Sequence, residues 1–326
     1  MSAQETSTII PRVFFSRCLG FDNCRYNGIT ITDRVTEFLK PFVEPVTACP
    51  EVAIGLGVPR PPIRLIEEGD TVSLYQPETD RDVTAQMKDF AKTYLAELQP
   101  VDGFVLKYRS PSCGPNDVKI YNSKKPKAGH RKGSGMFAEA VRSAFPGMPL
   151  EDEGRLQNFD IRSHFLTKLF TMARFRRASG IGTIGELVQF HADHKYLLMA
   201  YNQEAMRAMG RLVANPDKRP ATEVFALYRD GLLRALARAP RRTSAINVLQ
   251  HGFGYVSDNL SKAERDHFLL SLNQYREGRI PLTAATMLLR SWILRFDVEY
   301  LASQTYFEPY PIGLVEVLDS GKGRAL

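Results

Sequence analysis

The sequence predicts two domains: an α/β domain built on a mostly parallel sheet, of the Rossmann or flavodoxin-like kind, and then an all-helical bundle domain. Short apolar runs alternate with helical patterns over the first part of the chain. Beyond it the apolar residues recur at helical spacing, and strand patterns nearly disappear. All four cysteines lie within the first 113 of the 326 residues, so the two parts also differ in chemistry. We therefore predict an α/β domain over residues 9–148 and a helical domain over residues 158–312.

The α/β prediction rests on the order of its elements. The first apolar run follows Pro11, and Pro or Gly punctuates most of the later boundaries. Parallel strands end at a common edge of a sheet, and ligands bind beyond that edge. Residues 149–154, which contain Pro and Gly, are predicted to be a linker. The predicted strands cover residues 12–16, 42–48, 63–66, 71–75 and 104–108, and the predicted helices cover residues 33–40, 83–98 and 136–145.

The second domain is predicted to consist of helices alone. Two histidines, His191 and His194, are three residues apart on one of them, which suits metal binding geometrically. No cysteine or carboxylate partner accompanies them in the pattern, so we interpret them as core or surface residues. Beyond an apolar helical face at residues 165–173, the predicted helices cover residues 184–209, 221–239, 243–255, 262–277 and 282–296.

The composition is that of an ordinary globular protein with a basic balance. The net charge of +7 favours an anionic partner such as a nucleotide or RNA, although many basic proteins have none. Residues 119–132 form a predicted basic loop, either a mobile solvated segment or a lid that contacts phosphate. No apolar run is long enough to cross a membrane, and residues 1–8 lack the apolar core of a signal peptide. We therefore expect no membrane partner and a cytoplasmic protein.

Three cysteines, Cys18, Cys49 and Cys113, occur in loops that follow predicted strands. Four cysteines in a chain of this length do not indicate a disulfide framework. Thiolates suit zinc or iron–sulfur centres, but the spacing matches neither a zinc ribbon nor a ferredoxin. Either the fold brings these cysteines together around one metal centre, or they are reduced structural cysteines.

Two sets of motifs resemble known proteins. The first set, over roughly residues 10–148, resembles the thiouracil desulfidases, and the second resembles the helical domain that is often fused to them. The first consists of Cys18-Leu-Gly, Cys24-Arg-Tyr-Asn-Gly28, Cys49-Pro-Glu-Val-Ala53, Pro59-Arg-Pro-Pro62, Arg81-Asp-Val-Thr84 and Leu106-Lys-Tyr-Arg-Ser-Pro-Ser-Cys-Gly114. The second consists of Phe190-His-Ala-Asp-His194-Lys-Tyr-Leu-Leu-Met199, Gly210-Arg-Leu-Val-Ala-Asn215, Asn247-Val-Leu-Gln-His251, Tyr275-Arg-Glu-Gly278 and Tyr306-Phe-Glu-Pro309.

The resemblance implies an iron–sulfur enzyme. A [4Fe-4S] cluster would be held by Cys18, Cys49 and Cys113, leaving one iron without a protein ligand. That iron would take the thiocarbonyl sulfur of a thiolated pyrimidine base or nucleoside, and water would attack the carbon without net redox change. Cys24 would be a nearby thiol that is not a ligand, although its position near Cys18 leaves a fourth ligand open.

Proton transfer in such a reaction is assigned to residues near the cysteines. Glu51 is the candidate for activating water or protonating the ring; alternatively, it caps the helix that follows it. Ser112 and Ser110 are candidates for hydrogen bonds to substrate or cluster, or they only shape a turn. Arg60, among prolines, binds an anion or forms a structural ion pair.

Two other functions remain open on the sequence. One is a basic RNA- or nucleotide-binding protein with a structural metal site, which the net charge and the loop 119–132 favour. The other is a structural zinc protein, which the cysteines alone would allow.

Overall fold

The computed structural model describes residues 9–315 and contains two sheets and a series of helices. Its nine strands are β1 (Arg12–Ser16), β2 (Glu44–Ala48), β3 (Arg64–Glu68), β4 (Thr71–Gln76), β5 (Arg81–Asp82), β6 (Gly103–Leu106), β7 (Val118–Tyr121), β8 (His130–Gly133) and β9 (Leu150–Asp152). The α-helices in the same range are α1 (Arg34–Leu39), α2 (Pro50–Ala53), α3 (Thr84–Glu97), α4 (Met136–Ala144), α5 (Phe159–Ile181), α6 (Ile184–Val213), α7 (Ala221–Ala235), α8 (Arg242–Phe253), α9 (Lys262–Arg276), α10 (Leu282–Arg295) and α11 (Glu299–Ala302).

The first sheet is parallel throughout, in the order β2-β1-β6-β9. Its central strands are apolar and fully buried, as strands covered on both faces require. The ring of Phe14 in β1 lies 5.8 Å from the rings of Phe104 and Phe137, which places α4 against one face. The ring of Phe15 lies 5.2 Å from that of Phe21. The predicted α/β fold with a parallel sheet is confirmed.

A second sheet has the order β5-β4-β3-β7-β8 and mixed strand directions. Its antiparallel hairpin of β3 and β4 falls on the predicted strands 63–66 and 71–75, whereas β5, β7 and β8 are not predicted as strands. The prediction of a basic loop over residues 119–132 is wrong, because β7 and β8 pair there as an antiparallel hairpin. The strand β8 is a charged, exposed edge strand, so it carries no alternating apolar pattern. Two of its cations form ion pairs: Arg131 with Glu67 and Lys132 with Asp117.

The predicted linker 149–154 is also wrong, because β9 lies there and pairs in parallel with β6. This strand is defined by its backbone hydrogen bonds to β6. Two of its three side chains are carboxylates, so it lacks the apolar pattern that predicts a strand. Asp152 is fully buried, whereas Leu150 and Glu151 are half-buried. A strand this short, flanked by Pro149 and Gly154, looks like a turn in sequence.

The chain divides into two compact units between Ala173 and Arg174, and residues 313–315 belong to the first unit. The predicted helices are confirmed within a few residues, and α6 contains a break at Asn202, whose φ of −159° and ψ of 99° are not helical. Between residues 9 and 315 no helix is long and apolar enough to cross a membrane. The predicted domains over residues 9–148 and 158–312 stay a prediction.

Candidate active site at the edge of the parallel sheet

The carboxyl ends of β1, β2 and β6 surround a cavity of about 370 Å³. Because these strands are parallel, their following loops meet at one edge and bring distant residues together. We call this space the cysteine cavity. It is lined by all four cysteines of the chain, by Glu51 and Arg60, and by the residues Lys107 to Cys113 that follow β6.

The three predicted ligand cysteines are placed together in the cysteine cavity. Burial raises the pKa of the Cys18 thiol to about 12, and the nearby charge of Cys49 adds to this rise. Burial also raises the pKa of the Cys113 thiol, and Cys49 and Cys18 are close enough to contribute. Each thiol is thus neutral until something binds the thiolate form, which is what a metal centre does.

Cys49 and Cys24 form a coupled pair on one side of the cavity. A hydrogen bond from the Cys24 side chain lowers the pKa of the Cys49 thiol to about 7. The same contact raises the pKa of Cys24. The Sγ atom of Cys49 also lies 3.7 Å from the backbone oxygen of Cys24. Cys24 therefore neighbours a predicted ligand, and its predicted role as a non-ligand thiol stays a prediction.

The donor type of the cavity suits an iron–sulfur cluster. Among residues 9–315, no three His, Cys, Asp or Glu side chains lie close enough together to bind one metal ion. Three soft thiols around a shared space are the donors that iron–sulfur clusters use.

Glu51 forms a buried ion pair with Arg60. Its Oε2 atom accepts hydrogen bonds from Arg60 Nε at 2.9 Å and from Arg60 Nη2 at 2.7 Å. The Arg60 side chain is 3% exposed and that of Glu51 is 11% exposed, so water screens the pair weakly. The N-cap of α2 is Cys49, and it has no side-chain capping hydrogen bond. Glu51 therefore contacts the cavity and Arg60, not the end of the helix.

The second carboxylate oxygen of Glu51 begins a chain of hydroxyl groups. Ser112 Oγ donates to Glu51 Oε1 at 2.6 Å, and Ser110 Oγ lies 2.9 Å from Ser112 Oγ. Ser110 Oγ also accepts the N–H of Cys113 at 3.1 Å. With its lone pairs engaged in this way, the Ser110 hydroxyl can direct its proton to Ser112. Ser110 thus has the turn-shaping role that the sequence analysis gives as one alternative, and it also extends the hydrogen-bonded chain.

Two glycines allow the loop that carries these groups to pack tightly. A Cβ atom on Gly135 would lie 2.5 Å from the backbone oxygen of Ser112. A Cβ on Gly114 would lie 2.8 Å from the backbone oxygen of Ser110. Such distances are not tolerated between a Cβ and backbone, so both positions require glycine. The loop between Ser110 and Gly114 is therefore held against the start of α4.

The sequence pattern gave no indication of the partners of the predicted residues. Arg60 stands out among prolines, but its pairing with Glu51 was not predicted. Lys107 forms an ion pair with Glu153, and Glu153 also accepts the N–H of Tyr108 at 2.7 Å. Glu153 lies in the predicted linker 149–154, so the sequence pattern does not indicate it. For Lys107, the available signal is its position directly after the buried strand β6.

The two histidines lie in the other unit. His194 is 2% exposed, and its Nδ1 atom lies 2.7 Å from the backbone oxygen of Phe190. His191 Nδ1 lies 3.0 Å from the hydroxyl of Tyr228. Burial lowers the pKa of both imidazoles. The interpretation of His194 as a core residue is confirmed.

Comparisons with known proteins agree with the two-part organisation. A family model described as 2-thiouracil desulfurase matches residues 13–153, and one described as a protein of unknown function (DUF1722) matches residues 195–311. The uncharacterized protein YbgA of Escherichia coli K12 is 27% identical over 158 residues, which are 48% of this chain and 92% of YbgA. The uncharacterized protein YbbK of Bacillus subtilis 168 is 33% identical over 119 residues, which are 34% of this chain and 76% of YbbK.

One solved structure is also similar. It is the [4Fe-4S]-dependent thiouracil desulfidase TudS, at 29% identity and a TM-score of 0.37, covering 45% of this chain and 93% of that chain. The chain belongs to the 2-thiouracil desulfurase family, and it carries in addition a C-terminal helical part that matches DUF1722.

Proposed function

We propose that this protein removes sulfur from thiolated pyrimidines of the thiouracil or thiouridine type, using a [4Fe-4S] cluster bound in the cysteine cavity. The net reaction is a hydrolysis: one water supplies the carbonyl oxygen, and the sulfur would leave as a ligand of the cluster rather than as free sulfide, to be lost later with two protons as hydrogen sulfide. No electrons are exchanged in this balance. The observation that carries the proposal is the convergence of Cys18, Cys49 and Cys113 on one cavity beside the Glu51 carboxylate.

Cys18, Cys49 and Cys113 are the residues that would hold the cluster. When bound, it supplies an iron without a protein ligand, a soft Lewis acid suited to a thiocarbonyl sulfur. All three thiols must lose their protons to bind, and the Cys49 thiol does so most readily because its pKa is lowered to about 7. The Lys107 ammonium lowers the pKa of Cys18 and thereby favours its thiolate, although burial has the larger effect.

Glu51 is proposed to move the protons. Its Oε2 atom is occupied by Arg60, so the acceptor available for a water or ring proton is Oε1. Ser112 already donates to that oxygen at 2.6 Å, which fixes the orientation of the carboxylate. The hydroxyl of Ser110 stands next in the chain and is proposed to stabilise the Ser112 hydroxyl as the proton shifts.

The test is anaerobic turnover on a panel of substrates. The protein is purified without oxygen, its iron and sulfide are measured, and it is given thiouracil, thiouridine, thiouridine monophosphate and thiolated RNA. We expect about four irons per chain and release of the matching oxygenated product together with sulfide. An iron-loaded protein that releases neither product from any member of the panel would contradict the proposal.

The panel also tests the second candidate function, RNA or nucleotide binding. The observation that favours it is the net charge of +7, together with Lys124, Lys125 and Lys127 in the turn between β7 and β8. Binding to RNA without desulfuration of any thiolated substrate would support that function instead. Desulfuration of thiolated RNA would unite the two.

A further inference from the structure

Arg60 makes more hydrogen bonds inside the cysteine cavity than a simple ion pair requires. Besides its two bonds to Glu51 Oε2, it donates from Nη1 to the backbone oxygen of Cys24 at 3.0 Å and to that of Gly57 at 2.9 Å. Four of its five N–H groups are thus committed to this chain. The planar guanidinium therefore has a fixed orientation, and Glu51 is held against it.

This arrangement gives the two oxygens of Glu51 different partners. Both donors on Arg60 bond to the same oxygen, Oε2, instead of one to each oxygen as in a fork-shaped carboxylate pair. The other oxygen, Oε1, is left for Ser112 and for the cavity. A carboxylate without Arg60 could rotate about its last bond and present either oxygen, or turn away from the cavity.

The same guanidinium fixes the backbone next to a predicted ligand. The oxygen of Cys24 that accepts from Arg60 is also the atom that lies 3.7 Å from Cys49 Sγ. Arg60 therefore contacts two features of the site, the proton-moving carboxylate and the loop beside Cys49. Its side chain is buried and has one N–H group left for a substrate anion, which weighs against a role in binding a phosphate.

We infer that Arg60 is a positioning residue for the desulfidase reaction: it holds Glu51 Oε2 and so presents Oε1 to Ser112 and to the reacting atoms. The inference rests on the proposed function and names a residue on which its rate depends. Arg60 itself does not touch the substrate. Removing it should lower turnover through Glu51, while iron binding through the cysteines should persist.

The test is a double-mutant cycle with Arg60→Gln, Glu51→Gln and the double variant. Misplacing a reacting group by about 1 Å costs roughly 10²-fold in rate, so we expect Arg60→Gln to lower kcat about 100-fold. Iron and sulfide per chain should remain at the wild-type level, and KM should change little. Because Arg60 acts through Glu51, the double variant should be no slower than Glu51→Gln alone.

Two further variants complete the design. Arg60→Lys keeps the charge but offers one ammonium in place of a fixed fork, so its kcat should lie between those of the wild type and Arg60→Gln. The matched control is Arg155→Gln, since Arg155 forms a two-bond ion pair with Glu151, at 2.7 and 3.2 Å, outside the cavity lining. Its kcat should be that of the wild type.

The outcomes separate this inference from the proposed function. A wild-type protein that is iron-loaded and inactive overturns the proposed function. An active wild type with full turnover in Arg60→Gln overturns only the inference, as does a double variant whose losses multiply. Loss of iron in both Arg60→Gln and Arg60→Lys assigns Arg60 to cluster assembly and also overturns it.

Discussion

At the residue scale, the proposed chemistry depends on one carboxylate whose two oxygens have different partners. Glu51 Oε2 contacts a buried guanidinium, and Oε1 contacts the hydroxyl of Ser112. The first contact orients the group and the second leaves it able to exchange a proton. Glu51 lies two positions after Cys49, in the first turn of α2, and its side chain lines the cavity. This position allows it to make both contacts.

Glu51→Gln should keep the cluster and lose most of its turnover. An amide of the same shape keeps one oxygen for the two Arg60 donors, but the NH2 group that replaces Oε1 can neither accept from Ser112 nor take up a proton. General acid–base catalysis contributes about 10²–10⁴-fold, so kcat should fall by that factor. Iron content and kcat are measured on the same preparation. A variant with wild-type kcat would remove Glu51 from the mechanism.

The cysteines should separate into two classes when each is replaced by serine. Cys18→Ser, Cys49→Ser and Cys113→Ser should each lower the iron bound per chain, and they should lower the thermal stability because binding is coupled to folding. Cys24→Ser should retain its iron and serves as the matched control. The measurement is iron and acid-labile sulfide after anaerobic reconstitution. Loss of iron in Cys24→Ser would make it a ligand and contradict the open-iron arrangement.

At the element scale, the loop after β6 packs closely against a glycine, which has no side chain. Gly135, at the start of α4, lies directly against the backbone of Ser112. The β6 loop and the helix start can approach this closely only without a Cβ. The same loop supplies Ser110, Ser112 and Cys113, so its position determines both the predicted ligand and the hydroxyl chain.

Gly135→Ala should therefore displace the loop and impair both iron binding and turnover. Its Cβ would lie 2.5 Å from the backbone oxygen of Ser112, so the loop must shift. The control is Gly180→Ala in α5, where a Cβ would meet nothing within 4 Å. That control should be neutral or stabilised by up to about 1 kcal/mol, because alanine favours helix. Full iron content and kcat in Gly135→Ala would show that the loop is not held here.

The end of β9 should make the stability depend on pH. Burial raises the pKa of Asp152 to about 7, against about 3.9 in an unfolded chain. Between these values the folded protein retains a proton that the unfolded chain has lost, so stability falls as pH rises from about 4 to 7. The contribution is up to about 4 kcal/mol.

Asp152→Asn tests that dependence, because an amide does not titrate. Its Oδ1 can still accept the N–H of Arg155, which Asp152 does at 2.8 Å. Urea unfolding at pH 5 and pH 8 should show a smaller loss of stability in the variant than in the wild type. Equal losses in the two proteins would mean that Asp152 does not carry the buried proton.

The sequence predicted the elements that bury apolar side chains and missed those that do not. β1 and β6 are uniformly apolar at their centres, and the cysteine loops follow from them. β8 is charged and exposed, and β9 is a three-residue strand with two carboxylates, so neither has an apolar pattern. The sequence predicted which residues come together at the site. It did not predict the pairing of Arg60 with Glu51, because buried ion pairs depend on tertiary geometry.

At the scale of the whole molecule, the chain combines a site-bearing α/β unit with a helical unit, and its overall composition is basic. The net charge of +7 is compatible with a substrate that carries phosphate. The hairpin of β7 and β8 concentrates cations, but Arg131 and Lys132 pair with carboxylates. The lysines of its turn are therefore the better candidates for contacts with an RNA backbone.

Replacing Lys124, Lys125 and Lys127 together by Gln should weaken binding of thiolated RNA. Each phosphate contact that is lost should reduce the slope of log affinity against log salt by about 1. Filter binding across a salt series measures that slope, and turnover of free thiouracil in the same variant should be unchanged. An unaltered slope would exclude contacts from this hairpin.

The central claim is that water replaces sulfur on a thiolated pyrimidine in the cysteine cavity. The most direct measurement is a single turnover of thiouracil by the iron-loaded protein in ¹⁸O-water, with the released uracil analysed by mass spectrometry. We predict uracil that contains one ¹⁸O atom, above the level in unreacted uracil kept in the same water. No uracil, or uracil without ¹⁸O, would contradict the account.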